Sequence, residues 1–340
     1  MHVKKTLFAA VIMCITALTS CGDNVGNDTK IQNDIPSVTS TEIEADSEPS
    51  VSKETDGYEV TDPFSYEVGK TEILDNSKTI KTVYFYHDGK KIFGQLYLPS
   101  DEGDFPIVIV SSGQAASYKI YTDEAKEFAD NGIACLIFDY TGSGELYTFT
   151  GGAQTSQSDG ECTEISVLTE AADLNAILDS LSELPNVDEE KTFLFGHSLG
   201  GLSATYTGCS RPDDIKGMML IEPSYAYPDS SKKLSPDLSK VPDVITDTSL
   251  YNVKVGKQFV VDMQSVEIYE MMPKYNKDVI IVLGTKDHCL GADYHDYFDR
   301  AEETFPSAQI IDISGADHYF QGEYGKTAMG YFLDFVRSHI

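Results

Sequence analysis

Positive charge is scarce in this 340-residue sequence: 25 lysines and arginines stand against 55 aspartates and glutamates, for a formal net charge of -30. That balance argues against a general grip on nucleic acid phosphates or anionic lipid, although it leaves room for a local basic patch. Cysteine is sparse as well. Of six, Cys14 and Cys21 lie near the N-terminus, while Cys135, Cys162, Cys209 and Cys289 are spread at spacings that fit no zinc pattern. No disulfide pairing follows from them, and Cys135, inside the apolar run "IACLIFDY", is expected to behave as a small buried hydrophobe. No internal repeat is apparent. The apolar run "TLFAAVIMCITAL" is too short for a typical membrane-spanning helix. What remains is an ordinary 41% of hydrophobic residues, enough to build one large α/β domain or two small ones.

The first residues form a targeting pattern: basic "MHVKK", the apolar run, then "LTSC". Leu18, Thr19, Ser20 and Cys21 resemble the lipobox of bacterial lipoproteins. The resemblance implies that residues 1–20 are a signal peptide, that Cys21 carries lipid after cleavage, and that the protein is extracytoplasmic and anchored in a bacterial membrane. Each buried acyl methylene would contribute about 0.8 kcal/mol to that anchoring. A plain signal peptide or an N-terminal anchor helix is the alternative. Residues 21–65 are rich in Ser, Thr, Asp and Glu and nearly devoid of aromatic side chains, so they bury too little apolar surface to offset chain entropy and read as a disordered tether.

Beyond the tether, "TIKTVYFYHDGKKIFGQLYLPS" alternates apolar and polar residues on both sides of "HDGKK", the pattern of a β-hairpin. "FPIVIVSSG" is a continuous apolar run closed by turn residues, as expected of a strand buried on both faces. There follow a helix in "TDEAKEFADNG", a strand in "IACLIFDY", a long helix in "VLTEAADLNAILDSLSEL", a strand in "KTFLFG", a helix from Ser198 and a strand in "IKGMMLIEP". This alternation predicts a mostly parallel sheet covered by helices on both faces. Residues 224–275, rich in Ser, Pro, Asp and Tyr, break the rhythm and read as an inserted cap. The rhythm resumes with "DVIIVLG", a helix near "ADYHDYFDRAEETF", the strand "AQIIDIS" and a final helix in "TAMGYFLDFVRSHI".

Gly196, His197, Ser198, Leu199 and Gly200 spell G-x-S-x-G where a strand runs directly into a helix, the pattern of a nucleophile elbow. Small neighbours let strand and helix approach closely, and the helix N-terminus points its N–H groups toward charge developing at the serine. A serine hydroxyl is a weak nucleophile. It needs a histidine to take its proton, and that histidine needs a carboxylate to fix its tautomer. Asp287, after the seventh strand, and His318, after the eighth, follow Ser198 in the order this chemistry uses. Among the other histidines, His2 falls in the signal, His87 in a hairpin turn and His339 at the C-terminus, where solvation is expected. His197 should support the elbow from the side, and His288 and His295 come too early to follow a separate acid strand. Asp317 adjoins His318 directly, and immediate neighbours rarely face each other across an imidazole. The oxyanion needs two preset N–H donors. The backbone of Leu199 is one candidate, and that of Gln114, in "SSGQAASY", is the other.

With "GHSLGG", "GTKD", "ADHYF" and "DYTGSGE" in place, residues 80 to 340 resemble the α/β-hydrolase superfamily. The resemblance implies an α/β fold with a mostly parallel eight-stranded sheet flanked by helices over residues 66–340 and a short cap insertion. Within the superfamily, the cap and "SDGECTEISVLTEAADLNAILDSL" are similar to bacterial cinnamoyl and feruloyl esterases and to serine aminopeptidase-type hydrolases. One departure is "SSGQ" where many members carry "HG" and a small or aromatic residue, which bears on the second oxyanion donor. The implied activity is hydrolysis of small-molecule or polymer-linked carboxylic esters, with short-chain or hydroxycinnamoyl acyl groups, through an acyl-enzyme and with no metal or organic cofactor. An amide or peptide hydrolase with the same triad is an alternative, as is a binding protein on a disused hydrolase fold. The cap tyrosines Tyr225, Tyr227, Tyr251, Tyr269 and Tyr275 are candidates to stack on a substrate ring, or, for most of them, to cover the core.

Overall fold

Runs of β-branched and aliphatic residues become strands here, and the stretches with helical spacing become the layers that cover them. The computed structural model describes residues 58–147, 153–247, 253–290 and 294–340. Strands β1 (Glu72–Asp75), β2 (Ile80–His87) and β3 (Lys90–Tyr97) form an antiparallel meander. Asp88 and Gly89 link β2 to β3 with φ angles of 48° and 72°, the left-handed pair that suits a twisted two-residue hairpin. There follow β4 (Phe105–Ser111), α1 (Thr122–Asp130), β5 (Ala134–Phe138), a small hairpin of β6 (Glu145–Tyr147) and β7 (Ala153–Thr155), and α2 (Val167–Asp179). Next come β8 (Val187–His197), α3 (Leu199–Ser210) and β9 (Gly217–Ile221). An insertion carries α4 (Tyr227–Leu234), the paired strands β10 (Val244–Asp247) and β11 (Val253–Gly256), α5 (Lys257–Ser265) and α6 (Ile268–Met271). The chain closes with β12 (Val279–Gly284), α7 (Tyr294–Thr304), β13 (Ala308–Ile313) and α8 (Glu323–Ser338).

The main sheet has nine strands in the order β1-β2-β3-β5-β4-β8-β9-β12-β13. β5, β4, β8, β9, β12 and β13 are mutually parallel. The strand beyond the eight expected is β1, whose four residues "EILD" are too few and too polar to stand out in the sequence. Alternate side chains of the central strands serve opposite faces. Ile107, Ile109 and Leu194 pack with Leu174 and Leu202 of α2 and α3, whereas Val108, Val110, Phe193 and Phe195 pack with Phe128 of α1 and Phe332 of α8. The result is a three-layer sandwich. From β4 the chain steps to β5 on one side and later returns to β8 on the other, so a crevice opens where the carboxyl ends of β4 and β8 diverge, the place where open α/β sheets bind ligands.

Two sequence readings change. His87 was expected to be solvated in its turn, but it is buried, and its Nε2 sits 2.5 Å from Oδ1 of the fully buried Asp173. The turn begins one residue later, so His87 is the last residue of β2 and points at α2. The second concerns residues 58–65, read as the end of the tether. They lie against the domain: the Thr61 N–H and hydroxyl donate to Asp262 of α5 at 2.9 and 2.6 Å, and the Asn175 side chain donates to the Pro63 carbonyl at 2.9 Å. The rest of the tether, the signal peptide and Cys21 lie outside the described residues. No helix among the described residues is long and apolar enough to cross a membrane.

Candidate active site

β8 ends at His197 and α3 begins at Leu199, leaving Ser198 alone at the bend with φ 55° and ψ -122°. A side chain held in that region costs on the order of 1–3 kcal/mol and persists only where its surroundings over-determine it. They do so here. The Ser198 N–H donates to the Ile221 carbonyl at 2.9 Å, and its carbonyl accepts from the N–H of Ser224 at 3.0 Å, so the elbow is clamped to the end of β9. Glycine at 200 is a matter of space: a Cβ there would stand 2.3 Å from the carbonyl oxygens of both Ser111 and Ser112. Strand β4 and the first turn of α3 thus touch backbone to backbone, and the Ser111 hydroxyl seals the contact with a 2.7 Å hydrogen bond to the Gly200 carbonyl.

His318, on the loop after β13, brings Nε2 to 3.0 Å from the Ser198 hydroxyl. Its Nδ1 lies 2.6 Å from Oδ2 of Asp287, on the loop after β12. Both side chains are buried, Asp287 at 3% exposure and His318 at 7%. Burial alone would raise the pKa of Asp287, but the hydrogen bond and charge of His318 outweigh it and hold the carboxyl below its ordinary range, helped by the Cys289 N–H donating to Oδ1 at 2.6 Å. A carboxylate fixed in the ionised form keeps the Nδ1 proton in place and leaves the Nε2 lone pair for the serine.

His197 is locked beneath His318. Its Nε2 donates to the His318 carbonyl at 2.8 Å, which leaves Nδ1 to accept from the Tyr121 hydroxyl at 3.0 Å. Burial, with the charge of His318 as a smaller contribution, pushes the pKa of His197 down to about 3, so it stays neutral throughout the working range. The Tyr121 oxygen also accepts from the Gly113 N–H at 3.4 Å, tying the loop after β4 to the elbow. In that loop Gly113 lies directly against Ser198: a Cβ on Gly113 would come 3.3 Å from the Ser198 Cβ. Gln114 follows, then Ala115 in a left-handed conformation with φ 56°. Among the described residues no acceptor takes the N–H groups of Leu199 and Gln114. The Gln114 carboxamide is likewise buried without a partner.

The structure therefore brings Ser198, His318 and Asp287 into one hydrogen-bonded line, with Leu199 and the Gln114 loop beside it. His288 and His295 are exposed. Sequence reasoning missed Ser224, whose hydroxyl lies 3.5 Å from that of Ser198, and Tyr121. It also missed Glu222, fully buried next to Asp287. Only the last carried a signal, an acid directly after a predicted buried strand. Most cap tyrosines cover the core: Tyr225 and Tyr275 are buried, with hydroxyls bonded to Thr205 at 2.9 Å and to the Ile215 carbonyl at 3.3 Å. Tyr269 is half-buried under Arg300, and Tyr251 lies outside the described residues. The insertion rests on α2 and α3. Among the described residues the one group able to surround a metal ion is Asp287, Cys289 and His318, whose ligand atoms lie within 4.8 Å of one another. Two of these three already bind each other. Cys135, Cys162, Cys209 and Cys289 form no disulfide, and Cys135 is fully buried.

Comparison with known proteins follows the same lines. The family model for serine aminopeptidase, S33, matches residues 105–311. Monoglyceride lipase from Homo sapiens is 25% identical over 231 residues, covering 66% of this chain and 67% of the lipase. Among solved structures, Est1E from Butyrivibrio proteoclasticus with ferulic acid bound superposes with a TM-score of 0.65 at 20% identity, over 75% of this chain and 98% of Est1E. The monoacylglycerol lipase of Paleococcus ferrophilus superposes with a TM-score of 0.53 at 20% identity, over 73% of this chain and 99% of the lipase.

Proposed function

The chain belongs to the serine aminopeptidase, S33, family of α/β hydrolases, and from that premise we propose that it is a serine hydrolase cleaving carboxylic esters of short-chain or hydroxycinnamoyl acids. The observation that carries this reading is the line from Ser198 through His318 to Asp287, with contacts of 3.0 and 2.6 Å. Ser198 attacks the ester carbonyl while His318 Nε2 takes its proton, and Asp287 balances the imidazolium. The oxyanion that forms is met by the N–H groups of Leu199 and Gln114, both without an acceptor among the described residues and the first of them backed by the dipole of α3. His318 then passes its proton to the leaving alcohol. Water enters, is deprotonated by the same imidazole, and releases the acid.

The acyl preference rests on the likeness to Est1E, solved with ferulic acid bound, and on the relation to a monoglyceride lipase. We place the activity outside the cytoplasm, on a lipid attached at Cys21, because Leu18, Thr19 and Ser20 precede that cysteine after a short apolar run. Cys21→Ala, which removes the acceptor thiol, is expected to abolish incorporation of labelled palmitate; labelling that survives sinks this assignment. The catalytic reading is tested by giving protein lacking residues 1–20 an aryl acetate, methyl ferulate, a monoacylglycerol and an aminoacyl anilide, with Ser198→Ala in parallel. Turnover of an ester, lost in the variant, is the expected result. Turnover of the anilide alone would make the protein an amidase, and inactivity of both proteins on every substrate would favour a binding role.

A further inference from the structure

Glu222 occupies an unusual place. It is the first residue after β9, sits at φ 45° and is fully buried. Its N–H donates to the Val282 carbonyl at 3.2 Å, and Oε1 accepts a short hydrogen bond from the Gly284 N–H, so the side chain is held over the end of β12, where the loop bearing Asp287 begins. Oε2 is buried with no donor among the described residues to satisfy it, and the carboxyls of Glu222 and Asp287 face each other. Two facing carboxylates with no cation between them repel, and a buried carboxylate oxygen without a donor is costly. One proton must therefore lie between the two groups. Asp287 is not its holder, since Oδ2 already faces Nδ1 of His318 and Oδ1 accepts from the Cys289 N–H.

We propose that Glu222 is a positioning residue of the hydrolytic reaction: as a neutral acid it donates a hydrogen bond to Asp287 and fixes that carboxylate on the imidazole of His318. The line of proton-linked groups then has four members, Ser198, His318, Asp287 and Glu222. Other titratable groups around Glu222 reinforce its neutral form. Burial comes first, then the charge of Asp287, with Asp312 on β13 adding a third acid; together they raise Glu222 far above the usual carboxylate range. Tyr294 of α7 approaches from the other side and donates its hydroxyl to the Gly284 carbonyl at 3.2 Å. A neutral Glu222 leaves a single negative charge beside His318, enough to balance the imidazolium without making it too weak an acid to protonate the leaving group.

The inference rests on the triad reading above, and its test is built so that the two fail separately. Glu222→Gln keeps an acceptor for Gly284 and an N–H donor for Asp287; Glu222→Ala keeps neither. With the preferred ester, Gln should stay within about threefold of the parent in kcat, and Ala should lose roughly tenfold or more with KM nearly unchanged, the size of loss expected when reacting groups are slightly misplaced. The acid limb of the kcat/KM profile should move to higher pH in the Ala variant, because Asp287 then concentrates its charge on His318, and should stay put in the Gln variant. A second readout needs no substrate: the low-field proton NMR signal of His318 Nδ1–H should coincide in the parent and Gln proteins and shift in Ala. Identical kcat, acid limb and proton signal in all three proteins overturns the proposal, as does a Gln variant as impaired as Ala. If the parent hydrolyses no ester, the catalytic reading fails, and the proton signal alone decides the role of Glu222.

Discussion

Gly200→Ala and Gly208→Ala place the same methyl group on the same helix with opposite expectations. In α3, replacing glycine by alanine should favour the helix by up to about 1 kcal/mol from backbone propensity alone. At position 208 the atoms nearest the new Cβ all belong to the Met218 side chain, its sulfur at 2.5 Å, and a flexible thioether can turn aside. At position 200 it meets the carbonyl oxygens of Ser111 and Ser112 at 2.3 Å, roughly an ångström inside contact distance, and backbone cannot turn aside. The end of β4 must retreat by about that amount. Overpacking of this kind costs about 1–3 kcal/mol, which in a domain of this size lowers Tm by roughly 2–4 °C per kcal/mol. The larger effect is on activity, because β4 leads directly into Gly113 and Gln114. A displacement of about 1 Å at the oxyanion loop should reduce kcat by on the order of a hundredfold. Thermal melts and kcat on an aryl acetate, measured for both variants, decide the matter. Full activity and an unchanged Tm in Gly200→Ala would refute the idea that backbone contact between β4 and α3 sets the site; a collapse of Gly208→Ala would show that glycines in α3 matter for some other reason.

Further outcomes follow from the same structure. Tyr121→Phe removes the hydroxyl shared by Gly113 and His197, leaves His197 Nδ1 unpaired, and should cost about 1–3 kcal/mol of stability together with a several-fold loss of kcat, read by melting and by steady-state assay. Stability should fall as pH rises. Glu170 is raised by burial from 4.5 to about 8, so the stability its neutral form contributes is complete below pH 4.5 and lost as pH passes through about 8. His87, raised by its Asp173 partner against the opposing effect of burial, acts in the same direction from pH 6.5 upward. A Tm profile from pH 5 to 9 should slope downward, and Glu170→Gln should flatten it; an unchanged slope contradicts the assignment. A chain beginning at Tyr66 loses the two hydrogen bonds from Thr61 to the buried Asp262, which among the described residues keeps only Ser166 and Gln258 as donors, and should melt several degrees below a chain beginning at Tyr58.

The parts of this architecture that were legible in the sequence are those encoded by local pattern. "FPIVIVS" and "FLFGH" are buried on both faces and so read as continuous apolar runs, and the elbow announces itself through glycines that the close approach of β4 and α3 requires. Asp287 and His318 could be found because each follows a strand in a fixed order. What stayed hidden depends on distant partners. His87 looks like a turn residue until α2 brings Asp173 to it, and residues 58–65 look unstructured because a few polar side chains, rather than an apolar stripe, dock them on α5 and α2. Glu222 ends an apolar strand in the sequence. Its meaning comes only from the loop after β12, which sets a second carboxyl against it.

The most direct test of the central claim is covalent. A fluorophosphonate requires a serine activated by its histidine, and peptide mapping by mass spectrometry reports which serine reacted. The account predicts one adduct, on Ser198, its formation slowed by several orders of magnitude in His318→Ala and by less in Asp287→Asn. Modification of another serine, or labelling of Ser198 that is indifferent to the loss of His318, would contradict it.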